Sequence, residues 1–210
     1  MLLYYITDRK QFPGNEAQRR HHLLEKISEA AHAGVDYVQL REKDLSVKEL
    51  ESLAREAIRL VREAQSKTRL LINSRTDIAM AVQADGVHLR ARDVSPSDVR
   101  SIWRAADSST RPIVAVSCHA AREVIAARNA GANFVVFGPV FEKSGVSGTT
   151  AGIQELRDAC SQKIPVFALG GVTVQNTRKC IEAGATGIAG IRLFQENEIA
   201  RVISTLETRG

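Results

Sequence analysis

Short apolar runs alternate with longer amphipathic stretches along the whole 210-residue chain. In the longer stretches apolar residues recur every three or four positions, as at Leu50, Leu53, Ala57 and Leu60, which predicts helices. The short runs between them predict eight strands: Leu3–Ile6, Tyr37–Leu40, Leu70–Asn73, Gly86–Leu89, Ile113–Val116, Phe134–Phe137, Val166–Leu169 and Gly187–Gly190. Eight units leave about 26 residues for each, enough for a strand, a helix and two loops.

Three of these units carry a glycine just after the helix and just before the next strand, at Gly34, Gly131 and Gly184. Glycine adopts the left-handed conformation that ends many helices at low cost. The repetition predicts an α/β protein with one closed parallel sheet, a single (β/α)8 TIM barrel over residues 1–210. Its active site is expected at the C-terminal ends of the strands. An open doubly wound sheet is the alternative.

Composition narrows the function classes. Hydrophobic residues make up 44% of the chain and the net charge is +5, which favours anionic small-molecule ligands. Aromatic residues are only 5% and no basic stripe is present, so we do not expect nucleic-acid binding. An odd number of cysteines, no secretory signal and no apolar run of about 18 residues predict a cytoplasmic protein without a membrane partner. A homo-oligomer is possible.

Glycine-rich turns follow the last two predicted strands. In TIM barrels a phosphate typically lies between the loops after strands 7 and 8. Backbone N–H groups there can approach an anion closely where no side chain intervenes. The sequence therefore predicts a phosphate-binding cup formed by Gly170, Gly171, Gly190, Ile191 and Arg192.

Polar and cationic residues follow the other strands, among them Asn73, Ser74, His88, Arg90, Asp93 and Ser117. Strand alternation places Gln39, Arg41 and Lys43 on one side, where a guanidinium fork and an ammonium group suit a diphosphate. The alternative is an exposed charged turn. The mouth of the barrel is thus expected to bind more than one anionic group.

Two further positions bear on the chemistry. His119 follows the fifth strand and could move a proton, or it could simply begin the next helix. Asp93 is a candidate Mg²⁺ ligand that would need substrate phosphates to complete the site. The segment Glu142–Gly152, rich in glycine, serine and threonine, is predicted to form a lid over the ligand, or else a long surface loop.

Several motifs in order resemble the thiamine phosphate synthase/thiazole tautomerase family over nearly the whole chain. They are Tyr5-Ile6-Thr7-Asp8, Gln39-Leu40-Arg41-Glu42-Lys43, Asn73-Ser74-Arg75-Thr76-Asp77, Ala84-Asp85-Gly86-Val87-His88-Leu89, Val116-Ser117-Cys118-His119, Phe137-Gly138-Pro139-Val140-Phe141 and Leu169-Gly170-Gly171-Val172. The resemblance implies a barrel that binds hydroxyethylthiazole phosphate. Synthases join it to hydroxymethylpyrimidine diphosphate, using Mg²⁺ and releasing diphosphate. Tautomerases aromatise a thiazole carboxylate phosphate by proton transfer and need no cofactor.

The resemblance also implies roles for individual residues. Gln39, Arg41, Lys43 and Asn73 match contacts to the pyrimidine diphosphate, Ser117 matches a further substrate contact, and Asp93 matches one Mg²⁺ ligand. Gly170, Ile191 and Arg192 match the thiazole-phosphate cup, and His119 matches the proton-transfer histidine of tautomerases.

The chain departs from the synthase pattern at two positions. Ser74 stands where synthases carry the second metal-binding Asp, and the lid lysine is missing near Val146, although Lys143 could replace it. We therefore expect tautomerase chemistry at His119, with synthase activity as the close alternative. A non-catalytic binder of phosphate ligands, or another phosphate-binding barrel such as an isomerase of amino-acid biosynthesis, are further alternatives.

Overall fold

The computed structural model describes residues 1–106, 110–142 and 150–208. Eight parallel strands pair in chain order and close into a barrel, with β1 completing the ring against β8. Their bounds are β1 Leu2–Ile6, β2 Tyr37–Leu40, β3 Arg69–Asn73, β4 Gly86–Leu89, β5 Ile113–Cys118, β6 Phe134–Phe137, β7 Val166–Ala168 and β8 Gly187–Gly190. The predicted fold class, a (β/α)8 TIM barrel, is confirmed.

Helices follow the strands and surround the barrel. They are α1 Glu16–His32, α2 Val47–Glu63, α3 Thr76–Ala81, α4 Pro96–Ala105, α5 Ala121–Asn129, α6 Gly152–Cys160, α7 Thr177–Glu182, α8 Arg192–Gln195 and α9 Ile199–Thr208. Capping boxes at Asn15, Ser46 and Ser95 fix where α1, α2 and α4 begin, because each side chain accepts a hydrogen bond from an otherwise unpaired N–H. The glycines predicted to end helices, Gly34, Gly131 and Gly184, have φ between +80° and +100°.

The barrel interior is packed with aromatic rings. Tyr4, Phe134 and Phe167 are buried there, with half-buried Tyr37 beside them. The rings of Phe134 and Phe167 lie 4.8 Å apart and those of Tyr37 and Phe134 lie 4.9 Å apart, between centroids. These contacts are worth about 0.5–1.5 kcal/mol for each pair beyond the area they bury. The aromatic layer closes the barrel below the strand ends that carry the polar residues.

Cys118 and Cys180 are buried, Cys160 is half-buried, and all three are free thiols. Burial raises the pKa of the Cys160 thiol to about 11, so it stays protonated and unreactive near neutral pH. Within the described part of the chain, no helix is both long and apolar enough to cross a membrane.

Candidate active site

The C-terminal strand ends bring most of the predicted site residues into one mouth. Ladder pairing places Asn73 on β3 beside His88 on β4, and β5 continues past its predicted end to include Ser117. Gln39 on β2 pairs in register with Ile6 on β1, which also faces the interior. The predicted location of the site is therefore consistent with how the strands are paired.

Four side chains form a hydrogen-bonded series inside the barrel, here called the interior polar chain: Gln39, Tyr4, His88 and Ser117. Gln39 Nε2 lies 3.1 Å from Tyr4 Oη, and Tyr4 Oη lies 3.0 Å from His88 Nδ1. His88 Nε2 lies 2.7 Å from Ser117 Oγ, at the mouth. This series connects β2 to β5 across the interior and passes through Tyr4, whose ring is also part of the aromatic layer.

Burial determines the protonation state of His88 in the interior polar chain. Desolvation, helped by the charge of Arg41, lowers the pKa of His88 to about 3, so its imidazole is neutral near pH 7. Gln39 and His88 are only 1% and 2% exposed, whereas Ser117 is half-buried. The sequence placed His88 at the rim of the mouth; the structure places it inside, and alternation along β4 from Gly86 was the signal for this.

A buried ion-pair network supports the loop after β2. Arg9 and Glu42 are 3% and 4% exposed, and Arg9 Nη1 lies 3.1 Å from Glu42 Oε2. Arg9 also forms a two-point contact with Asp44, at 2.8 and 2.9 Å. Thr7 donates a 2.6 Å hydrogen bond to Glu42 and accepts one from the backbone N–H of Arg41. Glu42 is thus a structural anchor for this loop.

The anchored loop presents cations to the mouth. Arg41 is half-buried and Lys43 is exposed, on either side of the buried Glu42. Partial desolvation, then the charges of Arg41 and Arg90, lower the pKa of Lys43. The three cationic side chains that follow β2 and β4 therefore lie close enough to repel one another, which an anion between them would relieve.

Ser74 and Asp93 meet beside these cations. Ser74 Oγ donates a 2.6 Å hydrogen bond to Asp93 Oδ2, and the Arg90 guanidinium contacts Asp93 Oδ1 at 3.1 Å. Although partial burial raises it, these hydrogen bonds hold the pKa of Asp93 below its usual value. Ser74 has φ +60°, a left-handed backbone that Asn and Asp also tolerate. No group of three or more His, Cys, Asp or Glu that could hold a metal occurs among the described residues.

His119 lies at the mouth between β5 and α5. It is exposed and precedes the first residue of α5 by two positions, so it does not begin that helix. Its Nδ1 donates to the carbonyl oxygen of Gly138 at 2.5 Å, and its backbone N–H donates to Glu123. The Nδ1–H tautomer leaves the lone pair of Nε2 available for a proton.

The glycines of the predicted cup are required by a close approach of backbone. Gly170 and Gly171 have φ +93° and +61°. A Cβ on Gly170 would lie 2.5 Å from Pro139, and one on Gly171 would lie 2.5 Å from the carbonyl oxygen of Glu142. The sequence attributed these glycines to ligand access. The structure gives a further reason, the packing of the loop after β6 on the loop after β7, through hydrogen bonds from Val140 and Phe141.

The remaining residues of the predicted cup lie between β8 and α8. The structure describes only the two ends of the predicted lid. Gly190 ends β8, Ile191 is half-buried, and exposed Arg192 begins α8. At the C-terminal end of the predicted lid, the N–H groups of Ala151 and Gly152 donate to carbonyl oxygens of Pro139 and Val140. Lys143 and Val146, on which the missing lid lysine depends, lie outside the described residues.

The fold and the mouth define the class: a (β/α)8-barrel enzyme whose polar residues converge at the C-terminal strand ends. The family model described as thiamine monophosphate synthase matches residues 3–194. The chain belongs to this family, which confirms the resemblance seen in the motifs.

Individual relatives are named for the same family. The chain is 39% identical over 196 residues to a protein named putative thiamine-phosphate synthase 2 of Aquifex aeolicus, covering 92% of this chain and 97% of the relative. It is 34% identical over 192 residues to the thiamine-phosphate synthase of Clostridium acetobutylicum, covering 90% and 84%. The solved thiamine phosphate pyrophosphorylase from Pyrococcus furiosus superposes with a TM-score of 0.80 at 27% identity, covering 99% of this chain and 94% of that one.

The Arg9–Glu42 pair predicts a large effect on stability. Arg9→Met removes the cation and leaves a buried carboxylate unpaired, so the free energy of unfolding is expected to fall by about 3–5 kcal/mol. Urea denaturation measures this loss. The double variant Arg9→Met/Glu42→Gln should recover part of it, because the second change removes the stranded charge. An equal or larger loss in the double variant would contradict the prediction.

The buried His88 predicts a pH dependence of stability. Below its ordinary pKa of 6.5 the unfolded chain binds a proton that folded His88 does not accept until its pKa of about 3. The free energy of unfolding should therefore fall as pH drops through this window, by up to about 1.4 kcal/mol for each pH unit. Tyr4, Arg41 and Asp93 are the charged or titratable groups that face or influence His88.

Denaturation at several pH values tests this dependence. His88→Asn should flatten the profile between pH 6.5 and 4 relative to wild type, whereas His32→Asn, at an exposed helix position with no ion-pair partner among the described residues, should leave it unchanged. Identical slopes in wild type and His88→Asn would show that His88 is not the buried neutral group.

Proposed function

We propose that the protein is a thiamine phosphate synthase, which joins hydroxymethylpyrimidine diphosphate to hydroxyethylthiazole phosphate. The observation that carries this proposal is the presence of two separate sets of groups suited to anions. Arg41, Lys43 and Arg90 lie in the loops that follow β2 and β4, a region here called the β2–β4 arc. The glycine-rich turns lie after β7 and β8. Two phosphorylated substrates need two such sets, whereas a tautomerase acting on one phosphate ester needs one.

The reaction is a substitution at the methylene carbon of the pyrimidine. The carbon–oxygen bond to the diphosphate breaks and its electron pair leaves with the diphosphate. The lone pair of the thiazole nitrogen forms the new carbon–nitrogen bond. Arg41 and Lys43 would stabilise the negative charge that develops on the leaving group, which is where fixed cations accelerate a reaction most.

The proposed assignment of substrates follows the two sets. Arg41, Lys43 and Asn73 would bind the pyrimidine diphosphate, with Ser117 and the buried Gln39 on the same side. Backbone N–H groups at Gly170, Gly171, Gly190 and Ile191, with the Arg192 guanidinium, would hold the thiazole phosphate. The names of the relatives support this synthase assignment over the tautomerase that the sequence departures favoured.

The residues fit a Mg²⁺ ion that arrives with the diphosphate better than one held by the protein alone. Asp93 offers an ionised carboxylate and Ser74 a hydroxyl oxygen 2.6 Å from it. Mg²⁺ is commonly bound by one or two carboxylates together with substrate phosphates and water. When bound, Mg²⁺ would neutralise part of the charge on the departing diphosphate.

A second candidate function is thiazole tautomerase, and one observation favours it. His119 donates from Nδ1 to the Gly138 carbonyl, and its Nε2, which has no hydrogen-bond partner among the described residues, would accept a proton at the mouth. His119→Ala distinguishes the candidates, because a tautomerase should lose its activity while a synthase retains most of its turnover. A non-catalytic binder would be unaffected in every assay.

The synthase proposal predicts the formation of thiamine phosphate and diphosphate from the two substrates and Mg²⁺. Lys43→Met should lower kcat/KM by on the order of 100-fold, because it removes a cation that acts on the developing charge. Lys67→Met is the matched control, since Lys67 is exposed just before β3, at the opposite end of the barrel. No product from the wild-type enzyme, with turnover of the thiazole carboxylate phosphate instead, would replace this proposal with the tautomerase.

The metal assignment predicts a gain on restoring the second carboxylate. Ser74→Asp should raise the apparent affinity for Mg²⁺ in the synthase assay about tenfold, because a second carboxylate adds charge to the cation site. The left-handed backbone at Ser74 accommodates Asp. Titration of activity against Mg²⁺ measures the effect, with Ser74→Asn as the uncharged control. An unchanged Mg²⁺ dependence in Ser74→Asp would place the metal elsewhere.

A further inference from the structure

If Tyr4 Oη donates one of its two hydrogen bonds and accepts the other, the interior polar chain can carry its hydrogen bonds in only one of two directions. A neutral imidazole has one N–H and one acceptor nitrogen, and each hydroxyl has one proton to donate. Tyr4 Oη contacts both Gln39 Nε2 and His88 Nδ1, and His88 Nε2 contacts Ser117 Oγ. If one member changes between donor and acceptor, every member must change with it.

The Gln39 amide sets the direction. Its NH₂ group faces Tyr4 Oη, so the phenol accepts from Gln39 and has its own proton left for His88 Nδ1. His88 must then carry its proton on Nε2 and donate it to Ser117 Oγ. Ser117, having accepted this bond, keeps its own proton for a partner outside the chain.

We propose that Gln39, Tyr4 and His88 form a directional relay that fixes the Ser117 hydroxyl as a hydrogen-bond donor toward the mouth. Tyr4 and His88 are thereby positioning residues that act through Ser117. The three are 0–2% exposed, so water does not compete for their hydrogen bonds. The group that Ser117 recognises must be an acceptor, such as a ring nitrogen or a phosphate oxygen.

The Tyr4–Tyr5 pair offers an internal control for this relay. Both side chains are 0% exposed on the same strand, but the Tyr5 hydroxyl has no hydrogen-bond partner among the described residues. Tyr4→Phe therefore removes a link in the relay, and Tyr5→Phe removes the same atom from a place where it makes no bond.

The tautomer of His88 tests the direction without any substrate. Long-range ¹H–¹⁵N NMR at pH 7.5 distinguishes protonated from unprotonated imidazole nitrogens, and His88→Asn identifies the His88 signals by their loss. We expect wild-type His88 to be the neutral Nε2–H tautomer, and Tyr5→Phe to leave it so. The Nδ1–H tautomer, or a mixture of both, in the wild-type protein would overturn the proposal.

Gln39→Glu tests the coupling by reversing the amide's role. A carboxylate at this position only accepts, so Tyr4 must donate to it and accept from His88 Nδ1–H. The His88 signal should change to the Nδ1–H tautomer, and in Tyr4→Phe the two tautomers should become mixed because the direction is no longer imposed. A pure Nε2–H tautomer in both variants would show that the relay does not set it.

The consequence for the substrate rests on the proposed function. Tyr4→Phe should raise KM for the pyrimidine diphosphate about tenfold, close to the effect of Ser117→Ala, and adding Tyr4→Phe to Ser117→Ala should cost little more. Fully additive losses would show that Tyr4 does not act through Ser117. If the protein forms no thiamine phosphate at all, the proposed function fails, whereas the NMR result still decides the relay.

Discussion

Closure of the eight strands around an aromatic layer is the constraint on which the rest of this molecule depends. Tyr4, Phe134 and Phe167 fill the interior, so polar groups above them are cut off from water on one side. A buried polar group without a partner costs about 1–3 kcal/mol. Gln39 and His88 avoid that cost by bonding to each other through Tyr4, and the series ends at Ser117, where the interior meets the mouth. A packing requirement thus determines the donor and acceptor pattern of the site.

The loop after β2 also contains a buried polar group that needs a partner, and here the partner is a charged side chain. Alternation puts Glu42 on the face opposite Arg41 and Lys43, and burial there raises the pKa of its carboxyl despite hydrogen bonds from Thr7 and Arg9. Arg9 is therefore the cation that compensates for the burial of the Glu42 carboxyl. Because the same loop carries the mouth cations, the ion pair that stabilises the fold also holds Arg41 and Lys43 in place.

Local sequence patterns were sufficient to predict the strands and helices. Contacts between residues far apart in the sequence could not be predicted in this way. The strand bounds agree to within two residues, because each strand is a short apolar run bounded by polar turns. The start of α7 at Thr177 depends on a turn before it, in which the Asn176 side chain bonds to Thr173 and Gly171. His88 lies 84 positions from Tyr4, and Glu42 lies 33 from Arg9. No local pattern shows such pairs; only barrel closure and register bring them together.

The choice between the two chemistries of this family is decided away from the phosphate cup, because both need a phosphate ester held in place. Across the mouth, the β2–β4 arc sets Arg41, Lys43 and Arg90 beside Asp93, and Ser74 contributes a hydroxyl that carries no charge. A hydroxyl in that position leaves the arc more positive than a second carboxylate would. The arginines and the lysine can therefore neutralise more of a departing diphosphate themselves, and less of that task falls to a metal ion. The serine that weakens the metal site is, on this argument, compatible with synthase chemistry.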